Sequence, residues 1–407
     1  MKNMKKIFLA LSLLFVFSTG SLFAGSFFSA NVGGMLSYNP DVAQTEYDPN
    51  LKLNAYIESQ FNFADNIWSH FNFSLKTDDF LSVDLFSETD SKFRIDEISV
   101  IIKSPIEAST NYFGVYMGAY DPIGSDLFFQ RYFGLLPTSS VLTKSWLGQA
   151  GSILYPHFGI GIADVVKLHN YPLAFGLYAY VNNEDEKYYV FNADLRFGAV
   201  YRYFAIDIAG GLGAPLSDKY NGEGVIVVVD KLYWHAGTTI LIGNNYTQSL
   251  YLQAGIFNAS FTKDNDALIT DPDHIYFLVE PRFRFKNTHM NISAWSIPKE
   301  CVDNFIYVSD TLGTSVVVYN DTLSWGSHQI NLGTIFSLSF PNKTFMDLAS
   351  PLQLFVNRDF NVDITPYLST NLLSGEIHFQ STIRIMEFLR NNWYNGITFE
   401  VGYKTSL

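Results

Sequence analysis

The residues best suited to act on a charged partner recur at alternate positions. Asp194 and Arg196 are two apart, and Glu280, Arg282 and Arg284 follow one another at the same interval. Asp207, Glu376 and Arg384 each sit beside apolar residues in similar surroundings. Side chains two positions apart share one face of a strand, so these groups form a fixed wall of alternating charge. Such a wall sorts solutes by charge, or else pairs internally and holds structure; both uses are open at this point.

Signatures of catalysis are missing. There is no HExxH, Walker loop or GxSxG motif, and Gly210-Gly211-Leu212-Gly213 falls within a strand pattern. Glu376 and His378 share a face, as do Tyr233 and His235, but no triad can be assembled from them. Asp264, Asp266, Asp271 and Asp273 crowd one loop without the glycine and terminal glutamate of an EF-hand, so they read as a solvated loop. Cys301 is the only cysteine, which excludes an intrachain disulfide and a cysteine-built metal site. No enzyme, metal or cofactor is expected.

The elements that must position the charges are strands. In 51–63, Leu51, Leu53, Ala55, Ile57, Phe61 and Phe63 alternate with Lys52, Asn54, Tyr56, Glu58, Gln60 and Asn62. Ala64-Asp65-Asn66 turns the chain, and Ile67, Phe71, Phe73 and Leu75 resume the alternation. Each arm has roughly 10 residues, enough to cross about 30 Å of hydrocarbon at a tilt. A Gly-interrupted strand at 27–39 precedes this hairpin, and the same pattern continues after it at 94–103, 111–120, 156–168, 172–182, 189–197, 204–212, 231–243, 248–258, 275–285, 289–297, 327–340, 375–386 and 395–407. The stretch 352–370 is ambiguous. The expected fold is therefore all-β, a transmembrane antiparallel β-barrel of about sixteen strands, within fourteen to eighteen. Leu53, Ile57, Phe61, Phe191, Leu195, Phe277, Val279, Phe283, Phe399 and Val401 should face lipid. Asn54, Glu58, Asn192, Arg196, Glu280, Arg282 and Glu400 should face the lumen.

Composition sets the remaining bounds. Lys2, Lys5 and Lys6 precede an apolar run from Ile7 to Phe17, so 1–24 reads as a cleavable secretory signal and 25–407 as one barrel domain. No apolar run of eighteen residues follows. Formal charge is −13, from 26 basic and 39 acidic residues, which argues against a nucleic-acid partner. Short connections at 64–66, 104–110, 169–171, 200–203, 244–247 and 287–288 alternate with longer, acidic ones. Barrels of this kind keep short turns periplasmic and long loops outside. Two loops stand out, at 121–152 and 298–326. The first carries Phe128, Phe129, Tyr132 and Phe133, costly on a free loop, so it should fold into the barrel mouth with Arg131 and Lys144 near the pathway.

At this point the chain resembles the outer-membrane porins of diderm bacteria. The likeness is architectural and covers nearly the whole mature chain. The final strand, with Phe399, Val401, Tyr403, Thr405 and Leu407, resembles the signal read by the outer-membrane barrel assembly machinery, although Leu407 stands where Phe is usual. By position, 121–152 is the third long loop, which in porins folds inward and narrows the pore. The resemblance implies a bacterial outer-membrane protein among lipids, passing small solutes or ions, as a monomer or a homo-oligomer. Two alternatives stand beside it: a transporter of hydrophobic compounds similar to fatty-acid channels, and a surface adhesin or structural barrel.

Overall fold

Two-faced strands leave their backbone groups unpaired at any open edge, and the computed structural model resolves this by closing a single antiparallel sheet on itself. The structure describes residues 27–40, 49–77, 79–80, 91–122, 125, 127–135, 140, 142, 159–182, 188–218, 232–244, 247–260, 274–299, 302, 310–356, 359–390 and 396–407. The strands are β1 (Phe28–Pro40), β2 (Pro49–Ala64), β3 (Ile67–Thr77), β4 (Ser91–Pro105), β5 (Ser109–Gly118), β6 (Gly159–Leu168), β7 (Leu173–Asn182), β8 (Tyr188–Tyr201) and β9 (Phe204–Asp218). They continue with β10 (Tyr233–Gly243), β11 (Gln248–Ser260), β12 (Ile275–Phe285), β13 (Thr288–Ser296), β14 (Leu312–Trp325), β15 (His328–Phe340), β16 (Asn361–Leu372), β17 (Gly375–Arg384) and β18 (Ile397–Ser406). Each pairs with its chain neighbours, and β18 returns to β1 with Ser406 opposite Asn31 and Phe399 opposite Tyr38. Among the described residues, short helices lie in the longer connections: α1 (Leu127–Phe133), α2 (Gln353–Val356) and α3 (Ile385–Arg390).

Tight turns gather at one end of the barrel. Lys286, Gly326, Leu373 and Ser374 take the positive φ that two-residue hairpins demand. The long connections gather at the other end.

Eighteen strands stand where about sixteen were expected, and the two additional ones are β14 and β16. The long loop expected over 298–326 stops short of Leu312, and β14 occupies its second half. Val316, Val317 and Val318 put apolar groups on both faces there, and a bulge between Asn320 and Leu323 breaks the register, so alternation is lost. The ambiguous 352–370 resolves into α2 followed by β16.

Outer and inner faces separate as the alternation requires. Leu195 is 67% exposed and Phe399 54%, whereas Arg196 is 4% and Glu280 0%. Charge near the bilayer midplane costs about 2–4 kcal/mol per residue, which explains why the outward set is apolar. The leader expected over 1–24, Lys144, Cys301 and the Asp264 to Asp273 cluster lie outside the described residues.

Candidate solute pathway and its inserted loop

Where the 121–152 connection leaves β5, the chain turns into the barrel. Gly118 has φ 112 and Asp121 φ 45, backbone shapes that reverse its direction. Helix α1 then lies against the inner wall with Phe128, Phe129 and Tyr132 buried. Phe128 and Tyr132 pack among Tyr112, Tyr116, Tyr120 and Tyr178, while Phe129 joins Leu142, Tyr251, Leu278 and Trp295. The described residues of the loop thus pack on the inner wall between β3 and β13. A Cβ at Gly198 on β8 would overlap the Phe128 ring, so a side chain there would push the helix off its seat.

Ion pairs fasten this seat. Arg131 on α1 donates to both oxygens of Glu97 at 2.8 and 3.1 Å and to Asp121 at 2.5 Å. Asp121 also accepts from the hydroxyls of Tyr132 at 2.9 Å and Tyr178 at 3.0 Å. Its carbonyl accepts from Arg196, whose guanidinium is held by Asp207 and lies 4.4 Å over the Phe128 ring. Burial disfavours the Arg131 charge, but the Asp121 and Glu97 carboxylates outweigh it and raise its pKa well above the ordinary arginine range. Further along, Ser140 of the loop donates to Glu280, which also accepts from Ser293 at 2.7 Å and Arg282 at 2.7 Å.

The expected site residues therefore divide into two groups. Asp194, Arg196, Asp207 and Glu280 point inward but are buried, with Asp194 held by Tyr180 and beside His235 at 3.0 Å. Arg282 is tied to Glu280, and Arg284 donates to the Lys286 carbonyl beside a short turn. Glu376 pairs with Lys404 at 3.2 Å and Arg384 with Glu387 at 3.6 Å, both part-exposed. Phe128 and Phe129 are buried in the loop seat and Phe133 partly so. Arg131 was expected near the pathway; it faces the wall instead, drawn there by two carboxylates.

Glu97, Asp121 and the inward tyrosines escaped the sequence reading. One signal was present: Tyr112 and Tyr116 on β5, and Tyr178 and Tyr180 on β7, occupy the polar-face positions of their strands. Bulky rings on a lumenal face need something inside to pack against.

Opposite the loop, from β14 round to β2, the inward face is polar. Asn54, Glu58, Asp363, Tyr367, Arg384 and Lys404 are all partly exposed there. A hollow of about 610 Å³ opens on this side at the short-turn end, lined in part by Asn31, Glu58, Asn371, Glu376 and Lys404.

A closed antiparallel barrel, an apolar outer face and a long loop folded into the lumen define a porin-like transmembrane β-barrel. No family model matches the chain, and no curated protein matches it. Solved structures of similar architecture include Salmonella typhi OmpF in complex with daunomycin, 9% identical, with a TM-score of 0.38 over 93% of this chain and 97% of that one. A mutant of the Rhodobacter blastica porin is 8% identical with a TM-score of 0.40 over 93% and 100%. A loop-deletion mutant of OmpT, an outer membrane protein of Vibrio cholerae, is 11% identical with a TM-score of 0.35 over 93% and 98%. Likeness at this level carries no argument about function; the barrel stands on its own strand pairings.

Proposed function

We propose that the chain is a bacterial outer-membrane pore for passive passage of small hydrophilic solutes or ions, exported by a leader at 1–24. The observation that carries this is the uncovered polar arc facing a loop-filled half. Barrels of 16–18 strands enclose an aqueous channel, and here the inserted loop narrows that space while the arc from β14 to β2 keeps it wet. Outer-membrane lipids contact the outer face, and the assembly machinery reads the final strand. A carrier of hydrophobic compounds fits less well, because Phe128 and Phe129 are packed into the wall and do not line a path. An adhesin or structural barrel would need the arc sealed as well.

Purified, heat-modifiable protein added to planar bilayers should produce discrete conductance steps. Folded protein that inserts and gives no steps would overturn the proposal and favour a structural barrel.

A further inference from the structure

Outward-facing leucines and phenylalanines of the described strands are at least partly exposed, except at one corner. Leu312 at the start of β14 and Phe340 at the end of β15 carry the outward parity of their strands, yet are 3% and 6% exposed. The β15–β16 connection covers them. Its 3-10 turn (Phe345–Ala349) sets the Phe345 ring 6.2 Å from outward Phe277, and the Phe345 N–H donates to Ser296. Leu354 of α2 packs on Leu312, Phe340, Leu338 and Phe360, with Phe355 5.3 Å from Phe340. The segment therefore hangs over the outer wall at the long-loop end rather than capping the lumen.

Its far side is apolar too. Met346, Leu348, Leu352, Phe355 and Val356 are exposed, Leu352 to 82% and Val356 to 73%. A patch of this kind on a loop in water is costly and marks a contact surface. It continues the lipid-facing belt through Phe277 and Phe345, while Lys343 and Asp347 pair at the segment's beginning. We infer that residues 345–356 form an interfacial anchor that dips into the headgroup and acyl boundary of the membrane, its occupant being lipid. An apolar face seated at that boundary gains in proportion to the area it buries there. This inference is independent of whether the lumen conducts.

A fluorophore placed on Leu352→Cys in a Cys301→Ser background tests it, since so exposed a position leaves the barrel undisturbed. The labelled full-length protein is reconstituted into phosphatidylcholine–phosphatidylglycerol vesicles. Emission should shift to the blue, be quenched by lipids brominated near the headgroup and escape quenching by iodide, at every protein-to-lipid ratio. Iodide quenching as strong as in an unfolded control would overturn the inference. Shielding that disappears when protein is diluted in lipid would also overturn it and assign the patch to a second copy of the chain.

Discussion

Asp121 takes the left-handed backbone that brings the loop inward, and its carboxylate gathers Arg131, Tyr132 and Tyr178. Asparagine tolerates the same φ, so Asp121→Asn removes charge with little change of shape. Breaking one side of a buried pair costs about 3–5 kcal/mol, of which Glu97 would retain a share through Arg131. The substitution should release the loop to proteases between 122 and 142 while the folded barrel still migrates as heat-modifiable. Protection equal to the parent would show that the loop is held by its aromatic packing alone. Why this hub escaped the sequence is a matter of distance along the chain. Arg131 meets Glu97 across 34 residues, Arg196 meets Asp121 across 75, and Ser140 meets Glu280 across 140. Alternation places a charge on the inner face, but which charge lies across from it depends on how the loop is seated.

At the scale of elements, period two was enough to locate most strands, because each buries nothing but lipid on one side and polar lumen on the other. Where both faces are apolar, as in Val316, Val317 and Val318 of β14, the signal vanishes; where one stretch holds a helix and then a strand, as from α2 to β16, it blurs. The inner–outer division itself can be tested. Leu195 lies midway along β8 and is 67% exposed, whereas Asn54 on β2 faces the polar arc. Leu195→Arg should lower the unfolding free energy in lipid by about 2–4 kcal/mol, and Asn54→Arg by much less. Equal losses in urea titrations of the reconstituted protein would contradict the assigned faces.

For the whole molecule, charge in the docked half is largely cancelled by pairs such as Arg196–Asp207 and Arg282–Glu280. The arc opposite carries Glu58, Asp321, Asp363, Glu376 and Glu400 against Lys52, Arg384 and Lys404, a small acidic excess. That balance favours weak selectivity. The net charge of −13 adds an acidic surface whose field decays within about 8 Å at physiological salt. Reversal potentials in a salt gradient should show a mild cation preference that shrinks as salt rises and grows in Lys404→Glu. A strong anion preference in the parent protein would contradict this distribution of charge. The most direct test of a polar pathway running beside an inserted loop is the single-channel conductance of a variant lacking residues 128–134. Removing α1 clears the part of the lumen that it occupies, so the folded deletion variant should conduct in larger steps than the parent and admit larger solutes. Conductance steps unchanged by the deletion would contradict the account.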